Sequence, residues 1–197
     1  MRKKCQMEGC IVLTYDDGPS MEMTPELLDL LEQTQTKATF FILGNKVAGN
    51  MPIVQRMVAL GHEIGCHGYG HLNAWKVLPW TEMRDVTKGI ETLSSNQIDC
   101  KIFRPPYGKI TIFTLAVNFF NNIKSVWWTI VSGDTFDLLP DPIVFSEKVI
   151  SAGGGVVLMH DMHKNIARKE YVLKVTSQII KEANRRRLSI KTLGEIL

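Results

Sequence analysis

Short apolar runs alternate with amphipathic segments along most of this chain. Residues 38–43 and 155–159 are mostly apolar runs that predict buried strands. Helical patterns lie between the strand patterns, at residues 24–31, 52–60, 81–94, 112–121, 142–150 and 167–187. This alternation predicts an α/β fold with a parallel sheet, because parallel strands need long crossover connections. Polar residues at the carboxyl ends of the strands should then meet at one end of the sheet.

The composition is typical of one globular domain. The 197 residues are 45% hydrophobic and contain no repeat or low-complexity linker, so we expect residues 1–197 to form a single domain. A full eight-unit barrel usually needs about 250 residues, which is more than this chain has. The net charge of +3 is modest, and we expect neither nucleic acid nor a membrane as a partner.

Two adjacent carboxylates, Asp16 and Asp17, follow the apolar run at residues 11–13 and precede a Gly-Pro turn. Successive residues of a strand point to opposite sides, so the two side chains could have separate tasks. One could bind a metal ion while the other serves as a general base. Alone, an Asp-Asp pair before Gly-Pro is more typical of a simple turn.

Two histidines downstream supply further metal ligands. His67 and His71 lie four positions apart, and the chain contains only five histidines. On a helical turn or in a tight loop, both rings could bind one ion. Two imidazoles and one carboxylate leave one coordination position open, as in catalytic zinc sites. We expect His62 to be a buried structural residue and His163 to lie in a loop beyond the site.

Three later segments carry the remaining polar residues of interest. Arg104 follows a short apolar run and could hold a carboxylate with two hydrogen bonds. Asp134 and Asp137 lie in a loop after the aromatic segment 126–130, which predicts another strand. His160 ends an apolar strand pattern and could donate a proton if a carboxylate oriented it. Each segment alone is typical of ordinary structure, and only the set indicates a hydrolytic site.

The order of these segments resembles that of the polysaccharide deacetylase family, also called the NodB homology domain or carbohydrate esterase family 4. The resemblance covers nearly the whole chain. It rests on five ordered motifs, which are Thr14-Tyr15-Asp16-Asp17-Gly18-Pro19, His67-Gly68-Tyr69-Gly70-His71, Arg104-Pro105-Pro106-Tyr107-Gly108, Asp134-Thr135-Phe136-Asp137 and Leu158-Met159-His160.

The resemblance implies a fold and an activity. The fold would be a distorted (β/α) barrel of about seven parallel strands. The activity would be the metal-dependent hydrolysis of N-linked acetyl groups on an amino-sugar-containing oligosaccharide, polysaccharide or sugar precursor, with release of acetate. The cofactor would be a divalent metal, with Zn²⁺ expected first and Co²⁺ or Ni²⁺ as alternatives.

The resemblance also implies a role for each matching residue. Asp16 would be the catalytic base, and the metal would be held by Asp17, His67 and His71. Arg104 would tether the base.

On the other side of the bond to be broken, the backbone N–H of Tyr107 would stabilise the oxyanion. His160 would protonate the departing amine, and Asp137 would orient His160. Tyr107, Leu138 and Trp75 would contact the sugar, with Trp80 as a further candidate for stacking. Trp127 and Trp128 could pack under the pocket, but aromatic residues in a strand are more typical of the core.

Three residues depart from the family pattern at the site. Tyr15 replaces the usual Phe and leaves an aromatic ring beside the base. Gly68 stands where the family usually has Ser or Thr, which removes a hydroxyl that could support the ligand loop. Leu138 follows Asp137 where the family often has Trp, which would change one wall of the sugar pocket. We therefore expect effects on metal affinity and on substrate preference.

The sequence is also compatible with two other functions, and it predicts a location. One alternative is a hydrolase of the same fold that acts on a non-sugar amide or an O-acetyl ester. Another is a carbohydrate-binding module without turnover. The basic start of the chain precedes no long apolar run, and the four cysteines lack metal-binding spacing. These features predict a cytoplasmic protein, with an extracellular or periplasmic origin as the alternative if a leader was removed.

Overall fold

The computed structural model describes residues 1–162 and 165–197. Strands form at β1 (Cys10–Gly18), β2 (Thr39–Ile42), β3 (Glu63–Cys66), β4 (Ile102–Phe103), β5 (Lys124–Ser125), β6 (Ile130–Val131), β7 (Gly155–His160) and β8 (Ser189–Ile190). The helices are α1 (Arg2–Glu8), α2 (Thr24–Gln33), α3 (Gly44–Val47), α4 (Met51–Ala59), α5 (Pro79–Ser95), α6 (Ile112–Phe120), α7 (Pro142–Ser151) and α8 (Ile166–Arg186).

The strands form one parallel sheet that curls into a half-barrel. Seven strands follow the order β5-β4-β3-β2-β1-β7-β6, and β8 pairs with the start of β1. All the pairings within the described residues are parallel. The predicted distorted barrel of about seven parallel strands is therefore confirmed.

Strand β1 lies at the centre of the sheet and is buried on both faces. Ile11 and Leu13 belong to a large core beneath the helices, whereas Cys10 and Val12 belong to a smaller cluster on the inner side. A strand between two apolar layers needs a continuous apolar sequence, which explains the unbroken run at residues 11–13.

Two local predictions differ from the structure. Residues 126–130 do not form one strand, because β5 ends at Ser125 and β6 begins only at Ile130. The intervening residues instead bring two tryptophans next to the turn at Gly108. Helix α1 has no counterpart among the predicted helices. Among the described helices, none is long and apolar enough to cross a membrane.

The sheet brings the polar ends of its strands together. Asp16 pairs in register with Phe41 of β2 and with His160 of β7, and Cys66 at the end of β3 pairs with Phe103 of β4. The residues that follow β3 and β4 are His67 and Arg104. The first, second, third and fifth sequence motifs therefore meet at one end of the sheet.

Candidate active site

A cleft of about 610 Å³ opens at the carboxyl ends of the strands. Its lining contains two carboxylates and three imidazoles, contributed by Asp16, Asp17, His67, His71 and His160. The sheet thus brings together residues that are up to 144 positions apart in the sequence, from Asp16 to His160.

The end of β1 is irregular, and this irregularity places both carboxylates in the cleft. The register shifts between Asp16 and Gly18, and Asp17 adopts a φ of 70°, in the left-handed region. Regular alternation would have turned the two side chains to opposite sides of the sheet. That expectation is wrong, since Asp16 and Asp17 both line the cleft and are only 2% and 5% exposed.

Three potential ligand atoms converge at Asp17. Its Oδ1 atom lies 3.3 Å from Nε2 of His67 and 3.0 Å from Nε2 of His71. Among the described residues, this buried Oδ1 has no hydrogen-bond partner. A buried carboxylate oxygen that faces two imidazole nitrogens fits a shared divalent cation, which would satisfy all three lone pairs.

A carbonyl group sets the tautomer of His67. Nδ1 of His67 lies 2.7 Å from the backbone oxygen of Arg104. Because a carbonyl oxygen can only accept, Nδ1 carries the proton and the lone pair of Nε2 points towards Asp17. This is the tautomer that a metal ligand requires.

The two histidines also keep Asp17 ionised. Burial alone would raise the pKa of Asp17, but the neighbouring imidazoles of His67 and His71 outweigh burial and lower it. The pKa of Asp17 therefore falls well below its usual range. The side chain is available as an anionic ligand at neutral pH.

Arg104 holds Asp16, but with one guanidinium nitrogen instead of the predicted two. Nη1 donates to Oδ1 of Asp16 and to Oγ1 of Thr14, each at 2.7 Å. The guanidinium carbon lies 4.1 Å from the ring centroid of Phe41 and 5.8 Å from that of Trp128. Nε and Nη2 lie buried beside these rings and have no hydrogen-bond partner in the described part of the chain, so the predicted bidentate grip is wrong.

His160 is oriented by Asp134, which corrects the prediction that Asp137 does so. Nδ1 of His160 lies 3.0 and 3.1 Å from the two carboxylate oxygens of Asp134, and its backbone N–H donates to Oδ2 at 2.7 Å. Ser132 donates to Oδ1 of Asp134 at 2.9 Å. Asp137 lies three residues further along the loop and is exposed, because the chain has already left the sheet.

The carboxylate of Asp134 raises the pKa of His160. Burial alone would lower the pKa of this imidazole, but the hydrogen bond and charge of Asp134 raise it, with smaller contributions from Asp16 and Asp17. The pKa of His160 reaches about 8 as a result. The ring can therefore be protonated near neutral pH, as a proton donor must be.

Of the three residues predicted to contact the sugar, only Tyr107 lines the cleft. Tyr107 lines it, with its ring centroid 4.7 Å from that of His71 and a backbone φ of 57°. Leu138 and Trp75 do not line the cleft and are 86% and 68% exposed. The indole N–H of Trp75 donates to the carbonyl of Ile110 instead.

Sequence reasoning did not assign several residues of the cleft lining to the site, and Trp128 and Lys46 are two of them. Trp128 forms part of the cleft wall, although it was expected to be a core residue. Lys46 also lines the cleft and donates from Nζ to the backbone oxygen of Asp17 at 2.7 Å. A tryptophan just after a strand end is a signal that could have been used, whereas nothing in the sequence around Lys46 indicates its position.

The two remaining histidines lie outside the cleft lining or outside the described residues. His62 is buried, its Nδ1 accepts from the backbone N–H of Ala38 at 3.2 Å, and burial lowers its pKa to about 4. It is a structural residue, as expected. His163 lies outside the described residues.

Known proteins share both the sequence and the fold. The chain matches the sequence profile of a family described as polysaccharide deacetylase over residues 3–122. A peptidoglycan-N-acetylglucosamine deacetylase of Bacillus cereus is 36% identical over 151 residues, covering 76% of this chain and 55% of the relative. A chitooligosaccharide deacetylase of Bradyrhizobium sp. is 28% identical, covering 94% of this chain and 90% of the relative.

A solved structure gives the same result. The crystal structure of the Bc1960 peptidoglycan N-acetylglucosamine deacetylase superposes with a TM-score of 0.86 at 29% identity, covering 96% of this chain and 88% of the other. The present chain thus spans about half the length of the Bacillus cereus relative and nearly all of the compared structure.

Proposed function

This chain belongs to the polysaccharide deacetylase family, and we propose that it hydrolyses the N-acetyl group of an amino sugar in a glycan and releases acetate. The observation that carries the proposal is the convergence of Asp17, His67 and His71 beside a second buried carboxylate, with a protonatable histidine across the cleft. These are the groups that metal-assisted amide hydrolysis requires.

The proposed cofactor is a divalent metal held by Asp17, His67 and His71. The family depends on divalent metals in general, and the three ligand atoms lie within 4.8 Å of one another. A bound ion would polarise the amide carbonyl and lower the pKa of a nearby water molecule. Zn²⁺ is our first expectation, and Co²⁺ and Ni²⁺ are alternatives because imidazole and carboxylate ligands also suit them.

Asp16 is the proposed general base. Its Oδ1 accepts the hydrogen bond from Arg104, and its Oδ2 lies 3.9 Å from Nε2 of His67. The arginine fixes the direction of the carboxylate, so the second oxygen faces the ligand cluster. From that position Asp16 can accept a proton from the attacking water.

His160 is the proposed general acid. With a pKa of about 8, this imidazole is largely protonated at neutral pH and can donate from Nε2 to the departing amine. Asp134 holds the proton on Nδ1 and stabilises the imidazolium. The backbone N–H of Tyr107 is the proposed donor to the oxyanion.

The proposed substrate class is an N-acetylglucosamine-containing glycan. The relatives named above act on peptidoglycan and chitooligosaccharide, and the cleft offers the rings of Tyr107 and Trp128 to the faces of a sugar. Leu138 and Trp75 would contact only a substrate that extends beyond the cleft. We propose a cytoplasmic location on the basis of the four cysteines alone, which fit a reducing compartment.

Acetate release tests the proposal. The protein is stripped with a chelator, reloaded with Zn²⁺ or Co²⁺, and incubated with N-acetylglucosamine oligomers of increasing length. We expect release only after reloading. O-acetylated xylo-oligosaccharides serve as the comparison, and preferential release from them would favour an esterase. No release from either substrate at confirmed metal occupancy would support a binding module without turnover.

A further inference from the structure

We propose that Asp85 is a positioning residue for the metal ligands, because it holds the segment between His67 and His71 by two backbone hydrogen bonds. The inference rests on the proposed function of Asp17, His67 and His71 as a metal site. Asp85 touches neither the ligand atoms nor the cleft, and it acts through the peptide groups between the two histidines.

The contact is a carboxylate that bridges two successive backbone N–H groups. Asp85 lies on α5, where Oδ2 accepts from the N–H of Tyr69 at 3.0 Å and Oδ1 accepts from the N–H of Gly70 at 2.7 Å. Hydrogen bonds to an ionised acceptor are stronger than neutral ones, and two of them fix an orientation as well as a distance.

The opposite side of the same segment is held by α3. The carbonyl of Gly68 accepts from the N–H of Gly44 at 3.0 Å, and the carbonyl of Tyr69 accepts from the N–H of Asn45 at 3.1 Å. The peptide groups between the two histidines are therefore held by hydrogen bonds to α5 on one side and to α3 on the other. A second side chain, Sγ of Cys66, accepts from the N–H of Gly68 at 3.3 Å. Because Asp85 acts through its side chain, its contribution can be removed without altering the backbone.

One face of α5 packs closely against the segment between the two histidines. Residues 85, 88 and 89 share that face, at spacings of three and four. Nζ of Lys88 lies 3.7 Å from the ring centroid of Tyr69. A Cβ at Gly89 would lie 2.7 Å from the carbonyl carbon of Gly68, so only glycine permits the helix to come this close.

Gly68 and Asp85 are complementary in space. Gly68 has a φ of +81°, and a Cβ there would lie 2.6 Å from Oδ2 of Asp85. The carboxylate therefore occupies the space into which a side chain at position 68 would project. Gly68 lacks the hydroxyl with which Ser or Thr at this position could support the loop, and in this chain a carboxylate from α5 supports it.

The support matters because the second ligand has an unfavourable backbone. His71 has a φ of 59°, in the left-handed region that non-glycine residues seldom adopt. Without the two hydrogen bonds at Tyr69 and Gly70, the segment could relax away from this conformation. Nε2 of His71 would then no longer be held 3.0 Å from Oδ1 of Asp17.

The test measures metal affinity without using turnover. Metal-free wild-type protein and the variants Asp85→Ala and Asp85→Asn are titrated with Zn²⁺ in competition with a chromophoric chelator. Glu91→Ala is the matched control, because Glu91 is an exposed acid on the same helix and its removal changes the net charge equally. Thermal unfolding of each metal-free form shows whether the variant is folded.

We expect Asp85→Ala to weaken Zn²⁺ binding by about 10- to 100-fold, a typical loss when a group that supports metal ligands is removed. Asp85→Asn keeps one acceptor oxygen and should lie between Asp85→Ala and the wild type, whereas Glu91→Ala should bind as the wild type does. The visible spectrum of the Co²⁺ form should change in both Asp85 variants and stay unchanged in Glu91→Ala, because it reports ligand geometry.

Equal Zn²⁺ affinity and an unchanged Co²⁺ spectrum in the folded Asp85 variants would overturn the inference while leaving the metal site intact. If Asp85→Ala does not fold, the Zn²⁺ affinity and the Co²⁺ spectrum of Asp85→Asn test the inference. A wild-type protein that binds no Zn²⁺ would overturn this inference together with the proposed metal dependence.

Discussion

The two sides of the cleft differ in what holds their side chains in place. On the metal and base side, Asp16, Asp17, His67 and Arg104 lie at or next to strand ends and are at most 5% exposed. On the acid and sugar side, Asp134, Tyr107 and Trp128 lie in connecting segments. The first side depends mainly on the register of the sheet, although His71 lies in a loop. The second side has His160 at the end of β7, but the partners of His160 depend on loop conformations. Changes on the two sides should therefore have different consequences.

The largest effect on stability is expected from the buried pair at the base. Arg104→Met removes the cation while keeping an apolar stem against Phe41, which leaves the carboxylate of Asp16 buried and uncompensated. Such a loss lowers the free energy of unfolding by about 3–5 kcal/mol. Urea denaturation of the metal-free protein measures it.

Arg56→Met is the control for that variant. Arg56 pairs with Asp29 at 2.7 Å and Glu32 at 2.6 Å on the surface, so its loss should lower the free energy of unfolding by less than about 1 kcal/mol. If Arg104→Met and Arg56→Met lowered the free energy of unfolding equally, the buried pair would contribute no more to stability than a surface pair. That result would contradict the account of the base side of the cleft.

The next effect concerns the acid side and is a shift in pH dependence. His160 must be protonated to act as an acid, so activity should fall as the pH rises through its pKa of about 8. Asp134→Asn removes the charge that raises this pKa. The alkaline limb of the profile of kcat/KM against pH should move to lower pH by about one unit.

Asp137→Asn provides the comparison on the same loop. Asp137 is exposed, and the carboxylate beside His160 is that of Asp134. The alkaline limb should therefore stay where it is in the wild type. A shift with Asp137→Asn and none with Asp134→Asn would restore the role that the family resemblance implied for Asp137.

The smallest effects are expected among the aromatic residues. Trp128→Leu removes a wall of the cleft and should raise KM by roughly two- to tenfold, which corresponds to about 0.5–1.5 kcal/mol for one ring contact. Trp75→Leu and Leu138→Ala should leave KM for short oligomers unchanged, because neither side chain lines the cleft.

Substrates of different length test where Trp75 contacts the sugar. A rise in KM with Trp75→Leu that appears only for long oligomers would support the predicted sugar contact at a distance from the cleft. An equal rise in KM for the shortest substrate would show that Trp75 reaches the reacting sugar, contrary to its position in the structure.

The same contrast explains which predictions from the sequence succeeded. The alternating pattern predicted the parallel sheet, and the sheet brought Asp16, His67 and His160 together because strand order and register leave few alternatives. Hydrophobic periodicity carries this information in short segments. The fold and the residues at strand ends could therefore be predicted in advance.

The loop partners could not be predicted in the same way. Asp134 and Asp137 are three positions apart in one polar loop, and no periodicity indicates which carboxylate turns inward. The shift of register at Asp17 and the contact between Gly68 and Asp85 depend on local backbone angles and on packing between distant segments. Such features follow from tertiary structure and leave no short-range pattern.

The division of labour between the adjacent carboxylates is the central claim, and one paired measurement tests it. Asp16→Asn and Asp17→Asn are each assayed for stoichiometric Zn²⁺ binding and for acetate release from N-acetylglucosamine oligomers. Asp16→Asn should bind Zn²⁺ but lose about 10²- to 10⁴-fold in kcat, because only the base is removed. Asp17→Asn should lose Zn²⁺ affinity. An Asp16→Asn variant with wild-type turnover would contradict the account.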